Sequence, residues 1–385
     1  MVSTATAAAA PLKLGVFCDL LEERWFSMDL LAEMLLSEGG RLPGVELERV
    51  RPALPALLAR AASPRGERTL ERWGYRLGLG FGRYVQYPLR ALRERSRHDF
   101  FHIADHSYGH LALELPRERV GIYCHDLDAF RPVLDGSRAS RLKLGAVAHT
   151  LLAGLRRARV VFHSSRTVGE ELRAQRIVPP ERLVHAPYGV AAEFQPEPGA
   201  LDAELAGRPP FVMHVGSLIP RKNPEFLVPL IVEILRARPE LEMFQMGGTW
   251  TESQRGELER GGVLGRVHQF SYLARPELSA YLRATRAVVL PSLAEGFGLP
   301  VVEALACGAP VVANDIPVLV EVGGEGVVVR RADSVAAYAA AVLHVVDGGG
   351  PAREARLQAA ARYTWAVHAR TIVETYRGLA GRSAE

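Results

Sequence analysis

Short apolar runs alternate with amphipathic stretches through the second half of the chain. Runs rich in valine and bounded by Gly, Pro, Asn or Asp are typical of buried strands, and the stretches between them have helical periodicity. The predicted strands are PFVMHVG, LEMFQMGG, RVHQFSYL, AVVLPS, APVVAND and EGVVV. Because helices separate the strands, we predict a parallel, doubly wound α/β sheet from Pro210 onward.

The first half alternates less regularly. The predicted strands there are LKLGVFCDL, DFFHIAD, RVGIYCHD and ARVVFHSS, with a helix over MDLLAEMLLSEG and a helical insertion over about 67–97. A Pro-rich stretch at 186–200 reads as a linker. We therefore predict one domain over 1–190, a second over 191–363, and a closing helix over 364–385 that packs back on the first. In such sheets, ligands bind outside the carboxyl ends of the strands.

Composition supports two globular domains without a membrane span. The chain has 385 residues, of which 48% are hydrophobic and 23% charged, which fits two domains better than one. No window approaches the apolar length of a transmembrane helix, and the opening MVSTATAAAAPLK has no basic segment before its alanine run. The three cysteines lie far apart in apolar runs, so we expect free thiols and a cytoplasmic protein.

The chain has a net charge of +4, and one region has a marked local excess of basic residues. Between residues 51 and 100 there are eleven arginines, at positions 51, 60, 65, 68, 72, 76, 83, 90, 93, 95 and 97. Aromatic residues are interleaved with them, namely Trp73, Tyr75, Phe81, Tyr84 and Tyr87. Two interpretations stay open: a surface that binds anionic lipid at the inner face of a membrane, or a solvated helical face. We expect no nucleic-acid partner, because no recognition motif accompanies the charge.

Two cations precede a predicted helix in HVGSLIPRKNPEFL. Asn223 suits the N-cap position and Pro224 the first helical position, so Arg221 and Lys222 lie just before the helix N-terminus. Free N–H groups, the positive end of the helix dipole and two cations together favour a diphosphate. The alternative is that both cations are solvated loop residues.

Two glutamates bracket the glycine-rich loop of PSLAEGFGLPVVEALACGAPVVAND. Gly296 and Gly298 allow a sharp turn and close approach of backbone to a ligand. Glu303 is expected in the first turn of the next helix, where it could accept bonds from ribose hydroxyls, as acidic residues do in dinucleotide folds. Glu295 could contact a transferred group. The alternative for Glu303 is that it only complements the helix dipole.

These segments carry a family resemblance. GSLIPRKN, ATRAVVLPSLAEGFGLPVVEALACGAPVVAND and the closing YTWAVHARTIVETY resemble retaining nucleotide-sugar glycosyltransferases of the GT-B fold, in the large bacterial family with the E-x7-E motif. The resemblance covers nearly all of the second half. It implies two Rossmann-like domains that face each other across a cleft.

The resemblance implies a role for each donor-side residue. Glu295 would contact the donor sugar, Glu303 the ribose, and Lys222 the diphosphate. Ser217 stands where the family often has an arginine, so Arg221 would supply that charge. The remaining implied donor contacts are Gly216, Tyr272, Leu273, Gly296, Phe297, Gly298 and Leu299, with Tyr272 and Leu273 nearest the base.

In the first half the resemblance is thinner. IYCHDLDAF contains the His-Asp pair often found beside the donor sugar in this family, so His125 would be the active-site histidine. The alternative is that His125 is a buried structural histidine with its hydrogen bonds satisfied within the core. Asp105, His106 and Asp126 would lie on the acceptor side. The family's Gly-Gly after the first strand is missing, and CDLLEERWFS stands there.

The resulting prediction is a metal-independent, retaining hexosyltransferase without a cofactor. It would move mannose or glucose from a nucleoside diphosphate sugar to a glycan, lipid-linked or small-molecule acceptor, in surface polysaccharide synthesis. Lys222, Arg221 and the helix dipole would do the electrostatic work of a metal. A nucleotide-sugar epimerase and a non-catalytic sugar-nucleotide-binding protein stay open. A phosphorylase would need a second lysine in this half, and a dehydrogenase would need a Gly-rich turn after the first strand.

Overall fold

The chain folds into two compact units. The computed structural model describes residues 10–23, 25–53, 75, 77–134 and 144–382. The N-terminal unit comprises Met1–Pro187 with Trp365–Glu385, and the C-terminal unit comprises Tyr188–Thr364. Parts of the predicted basic region, namely Arg60, Arg65, Arg68, Arg72, Trp73 and Arg76, lie outside the described residues, as does the start of the leader.

The N-terminal unit is built on a six-stranded parallel sheet of order β2-β1-β3-β4-β5-β6. Its strands are β1 (Leu12–Phe17), β2 (Val45–Val50), β3 (Phe100–Ile103), β4 (Val120–Cys124), β5 (Val160–His163) and β6 (Leu183–His185). The central strands β3, β4 and β5 are buried along their whole length, because helices cover both faces of a doubly wound sheet.

Five described helices lie between these strands. They are α1 (Phe26–Gly39), α2 (Tyr87–Glu94), α3 (Arg131–Leu134), α4 (Leu144–Arg157) and α5 (Arg166–Ala174). A π turn, Gly82–Gln86, leads directly into α2. The core joins Phe17, Tyr87 and Phe101 with aliphatic side chains from β4, β5 and α4.

The C-terminal helix of the chain belongs to the N-terminal unit. This helix, Trp365–Arg382, is α14 in the numbering below. Its Tyr376 is fully buried, and the hydroxyl lies 3.0 Å from Nδ1 of His102 on β3. The ring packs against Phe100 and Phe162, so the end of the chain completes the core of its first unit.

The C-terminal unit contains a second six-stranded parallel sheet, of order β12-β11-β10-β7-β8-β9. Its strands are β7 (Phe211–Val215), β8 (Glu242–Met246), β9 (Val267–Phe270), β10 (Ala287–Leu290), β11 (Val311–Ala313) and β12 (Val328–Val329). Strand order reverses between β7 and β10, as in the dinucleotide-binding Rossmann fold. In the N-terminal sheet the corresponding switch point lies between β1 and β3.

Eight helices surround this second sheet. They are α6 (Ala200–Leu205), α7 (Pro224–Ala237), α8 (Glu252–Arg260), α9 (Arg275–Ala284), α10 (Leu299–Ala306), α11 (Pro317–Gly323), α12 (Val335–Val346) and α13 (Arg353–Ala361). The core lies mainly between β7, β8 and the buried faces of α7 and α12. A parallel α/β fold is therefore confirmed for both halves.

Sequence reasoning missed the strands β2 and β6 and did not specify the helices α6, α11 and α13. Strand β2 carries Glu46, Glu48 and Arg49, and β6 is three residues long; both are edge strands without an apolar run. Helix α13 has a polar sequence and follows a glycine-rich stop. All three cysteines are buried and free, as expected. No helix among the described residues is long and apolar enough to cross a membrane.

Candidate active site

The carboxyl edge of the C-terminal sheet joins two loops at its switch point. Lys222 follows β7 and Glu295 follows the neighbouring β10. The Lys222 ammonium donates to Oε1 of Glu295, and Nη1 of Arg221 lies 3.3 Å from Oε2 of the same carboxylate. The side chains of Lys222 and Glu295 are only 9% and 7% exposed. One carboxylate therefore holds two cations at a position where α/β sheets bind ligands.

Backbone contacts fix these two loops against each other. The N–H of Leu293 donates to the carbonyl of Arg221 over 2.8 Å. Asn223 has left-handed backbone angles, φ 60° and ψ 50°, and its side chain makes no cap hydrogen bond. Its amide instead donates to the carbonyl of Pro291 over 3.2 Å. Asn223 thus occupies the predicted N-cap position but stabilises the loop pair, which presents Arg221 and Lys222 just before α7.

The glycine-rich loop is shaped by backbone rather than by side chains. Gly298 has φ +94°, and a Cβ atom there would lie 2.9 Å from Cδ2 of Leu319. The ring of Phe297 is buried between Tyr188 and Tyr363, with centroids 4.9 and 5.3 Å away. Phe297 therefore anchors the loop, and only its backbone is placed to meet a ligand. Leu299 begins α10, with Pro300 in its first turn.

Glu303 lies in the second turn of α10, because this helix begins at Leu299. The expectation of a first-turn position is wrong, and the first turn contains no acidic residue. The helix dipole acts mainly over the terminal turn, so charge complementarity explains Glu303 poorly. Burial raises the pKa of this carboxyl to about 8, with Arg275 acting in the opposite direction.

The loop after β7 packs tightly on the loop after β8. Gly247 has φ +95°, and a Cβ atom there would lie 2.9 Å from the carbonyl oxygen of Gly216. The buried amide of Gln245 donates to the carbonyls of Gly216, over 3.0 Å, and Gly247. Its oxygen accepts from Gln269 over 2.7 Å. Sequence reasoning missed Gln245, whose role follows only from strand register; it positions Gly216 and Ser217.

Tyr272 and Leu273 follow β9, at the far edge of the same sheet. Tyr272 is 66% exposed and Leu273 is partly buried. This places an accessible aromatic ring on the carboxyl edge, where a base could stack. Within β7, His214 is fully buried and lies against Lys222; burial, then Lys222, lowers its pKa to about 3. A neutral imidazole there avoids a second buried positive charge.

The switch point of the N-terminal sheet carries carboxyl groups. Asp19 follows β1 and Asp105 follows β3, and both are buried. Burial and the adjacent Asp105, to which Asp19 is hydrogen-bonded, raise the pKa of Asp19 well above its usual range. Burial alone would raise the pKa of Asp105 too, but His106, His125 and hydrogen bonds from Ser107 lower it to about 2. Asp19 is thus the neutral partner of an ionised Asp105, and sequence reasoning missed it.

His106, His125 and Asp126 lie beside this carboxyl pair. Nε2 of His125 donates to the carbonyl of Ala104 over 2.8 Å, and its backbone N–H donates to Nδ1 of His106 over 3.2 Å. Nε2 of His106 lies 3.8 Å from Asp126. Burial lowers the pKa of His125 to about 4. The four predicted N-terminal site residues, Asp105, His106, His125 and Asp126, are therefore brought together in one cluster.

The same cluster has the geometry of a metal site, but its imidazole groups already form hydrogen bonds. Asp105, His106 and His125 place ligand atoms within 4.8 Å of one another, yet both imidazoles are engaged as described above, and a metal ion would break those contacts. His102 and His110 do not join them: the first bonds Tyr376 and the second the carbonyl of Arg83.

Two further groups resemble metal sites and are explained without one. Glu48, Glu94 and His98 also cluster, but Arg90 lies 2.7 Å from Glu94 and supplies the counter-charge. Sequence reasoning missed an Asp-x-Asp pair, Asp126 and Asp128. There the N–H of Asp128 donates to Oδ1 of Asp126 over 3.0 Å, which is a local turn contact.

Comparison with known proteins defines the class. Two Rossmann-like units, each with a parallel sheet and polar residues at its switch point, constitute the GT-B fold. Residues 209–348 match the family model of the glycosyl transferases group 1. The matched segment lies within the C-terminal unit.

Curated relatives match the chain over part of its length. It is 32% identical over 215 residues to D-inositol 3-phosphate glycosyltransferase of Segniliparus rotundus, covering 51% of this chain and 47% of the relative. It is 34% identical over 137 residues to O-antigen chain mannosyltransferase B of Escherichia coli, covering 34% of this chain and 36% of the relative. The chain spans about half or less of the length of these relatives.

Solved structures match nearly the whole chain. Sucrose-phosphate synthase from Thermosynechococcus elongatus superposes with a TM-score of 0.68 at 18% identity, covering 96% of this chain and 100% of that one. Anabaena HepE in complex with UDP and glucose gives 0.69 at 16% identity, covering 95% and 100%. At such identities, the likeness establishes the fold alone.

Proposed function

We propose that the protein is a retaining glycosyltransferase that takes a hexose from a nucleoside diphosphate sugar. The observation that carries this proposal is the contact of Lys222 and Arg221 with Glu295 at the C-terminal switch point. A diphosphate would compete with Glu295 for these two cations. The carboxylate released in this way becomes available to hydroxyl groups of the donor sugar. The two cations would then bind the diphosphate on one side of the scissile bond, and Glu295 would bind the sugar on the other.

The other donor-side residues have complementary roles in the proposal. Backbone N–H groups of the loop 296–299 approach the diphosphate, because Gly298 allows the chain to turn there. Glu303 accepts hydrogen bonds from the ribose, and Tyr272 and Leu273 contact the base. Gly216 and Ser217, held by Gln245, complete the phosphate-facing backbone. All of these donor-side contacts come from residues of the C-terminal unit.

In the proposed reaction, the bond between the anomeric carbon and the diphosphate oxygen breaks as the acceptor oxygen bonds to the same face of that carbon. The acceptor proton passes to the departing diphosphate oxygen. Positive charge develops on the sugar, as in other glycosyl transfers, and Lys222 and Arg221 stabilise the leaving group. This scheme needs neither a metal ion nor a cofactor. His125 contacts the donor sugar, and Asp105, His106 and Asp126 bind acceptor hydroxyls.

The names of similar proteins support a hexose and a glycan product. One relative is named a mannosyltransferase of O-antigen chains, and one structural neighbour was solved with UDP and glucose. We therefore propose mannose or glucose as the transferred sugar and a glycan, lipid-linked or small-molecule hydroxyl as the acceptor, in surface polysaccharide synthesis.

Replacing Glu295 by Gln tests the enzymatic role. The amide preserves size but loses the charge that we assign to the sugar hydroxyls, so turnover should fall about 100-fold or more. Nucleoside diphosphate affinity should be retained or should increase, because the neutral amide competes less for Lys222 and Arg221. Turnover is measured as nucleoside diphosphate release with a panel of sugar donors, and affinity by calorimetry. Glu325→Gln, an exposed glutamate of the same unit, is the matched control.

The results of these measurements distinguish an enzyme from a non-catalytic binding protein. Turnover of Glu295→Gln at the wild-type rate would refute the role assigned to Glu295. Wild-type protein that binds nucleoside diphosphate but turns over none of the sugar donors would instead support a non-catalytic binding protein.

A further inference from the structure

An exposed apolar stripe runs along the helical segment 77–94 of the N-terminal unit. Its members recur every three or four residues and are between 39% and 67% exposed: Leu77, Phe81, Val85, Leu89 and Leu92. Tyr84, 46% exposed, lies beside them. Apolar residues at such spacing share one face of a helix, and contiguous exposed apolar surface marks an interaction site.

The opposite face of the same segment is anchored in the core. Positions 78, 82, 87, 91 and 94 are buried, and the five-residue step from 82 to 87 coincides with the π turn. The buried hydroxyl of Tyr87 donates to the carbonyls of Cys18 and Val50, at 2.7 and 2.6 Å. The ring stacks on Phe17 at 5.8 Å. Because this face is fixed, the apolar stripe cannot rotate inward.

Basic residues flank the stripe without acidic residues among them. From Tyr75 to Arg93 the sequence contains no Asp or Glu, and Glu94 is buried. Arg90 pairs with Glu94 over 2.7 Å. The exposed guanidinium of Arg93 forms no hydrogen bond or ion pair with the residues that the structure describes. The face therefore combines apolar side chains with net positive charge.

A cavity of about 340 Å³ opens beside the stripe. Its lining includes Phe81 and Leu89 from the stripe and three arginines, Arg51, Arg90 and Arg93. Arg51 is held at 2.5 Å by Asp29, which neutralises it, so Arg93 brings the uncompensated charge. A phosphate group attached to an apolar tail fits this lining, since guanidinium groups bind phosphate and the stripe continues the apolar surface.

A neighbouring loop adds exposed apolar residues to this surface and also carries Glu22 and Glu23. Leu21 and Trp25 follow β1 and are about 60% exposed. The hydroxyl of Tyr75 donates to the carbonyl of Glu22 over 2.6 Å, and Arg83 pairs with Glu23 at 3.0 Å. These contacts tie the loop to the helical segment. An exposed tryptophan beside apolar residues is typical of the membrane–water interface.

We propose that this face docks on a bilayer containing anionic lipid. Leu77, Phe81, Val85, Leu89 and Leu92 enter the interfacial region, and Arg93 binds head-group phosphate at the cavity. A second copy of the chain suits the face less well, because two such faces would bring their arginines together. The proposal does not depend on the transfer reaction, and it places the N-terminal unit beside lipid-linked acceptors.

Vesicle sedimentation with the full chain, without any nucleotide, tests the proposal. Wild-type protein should sediment with phosphatidylcholine vesicles that contain phosphatidylglycerol, more weakly with phosphatidylcholine alone, and less as salt increases. Leu89→Glu should weaken binding about tenfold or more, since one leucine is lost from the buried surface and a negative charge is added. Arg93→Gln should weaken binding to the anionic vesicles only, by about fivefold.

The matched control is Leu113→Glu, which changes an exposed leucine of the same unit outside the segment 77–94 and should bind as wild type. Equal binding of both vesicle types, or wild-type binding by Leu89→Glu, would overturn the proposal. So would the absence of vesicle binding together with a dimer, detected by ultracentrifugation, that Leu89→Glu dissociates. Circular dichroism of each variant verifies that the chain is folded.

Discussion

The switch points of the two sheets differ in the chemical groups that form them. In the C-terminal unit, Gly247 and Gly298 with positive φ bring backbone close to the ligand position, and two cations meet one glutamate there. In the N-terminal unit, Asp19, Asp105 and His125 fill the corresponding edge with side chains. Backbone N–H groups with two cations suit a diphosphate, which all nucleoside diphosphate sugars share, whereas a cluster of carboxyl and imidazole groups suits sugar hydroxyls.

The largest stability difference between the two edges is expected at Asp105. Its carboxylate accepts from the N–H and hydroxyl of Ser107, at 2.7 and 2.8 Å, at the start of a helical turn. Asp105→Ala should therefore lower the free energy of unfolding by about 2 kcal/mol near neutral pH. Because the folded-state pKa of about 2 lies below the ordinary aspartate value of 3.8, this contribution is present above pH 3.8 and disappears as pH falls through about 2.

Urea unfolding of wild type and Asp105→Ala at a series of pH values measures this effect. Glu118→Ala serves as the control, since Glu118 is 68% exposed and its ion pairs with Arg117 and Arg159 are long, at 3.8 and 3.7 Å. A loss no larger than that of the control would show that the N-terminal cluster is not held by the Asp105 carboxylate.

A smaller effect of opposite sign is expected at Glu303. Its pKa is raised from 4.5 to about 8, so folding favours the neutral carboxyl and wild type loses stability as pH rises between these values. Glu303→Gln imitates the neutral form. It should match wild type near pH 5 and be more stable by about 1 kcal/mol near pH 9, because water screens part of this half-buried group.

Thermal unfolding at the two pH values checks this, with the exposed Glu325→Gln as control. An unchanged difference between Glu303→Gln and wild type across the two pH values would mean that Glu303 is ionised throughout. Both Asp105 and Glu303 would then be ionised in the folded protein, and the two edges would not differ in this respect.

The same difference explains which parts could be predicted from sequence. Gly298, Pro300 and Lys222 have local consequences that residue type and spacing specify, so the two loops and the strands β7 and β10 that precede them were predictable. Glu303 was placed one turn too early, because a helix boundary depends on the φ of Gly298. Asp19 and Gln245 were missed, since their roles arise from the pairing of strands distant in sequence.

The expected positions of Asp105, His106, His125 and Asp126 at strand ends agree with the structure, but their mutual contacts could not be derived from sequence. They depend on β3 and β4 being neighbours. For Phe297, the motif predicted a contact with the donor. In the structure its ring packs between Tyr188 and Tyr363 in the core.

The central claim, a diphosphate site at Lys222, is tested most directly by calorimetry with UDP and GDP on wild type and Lys222→Met. Wild type should bind at least one of them, and Lys222→Met should bind about 100-fold more weakly. Arg255→Met, which removes an exposed cation of the same unit, should bind as wild type does. Failure of wild type to bind either nucleotide, or equal affinity of Lys222→Met, would contradict the account.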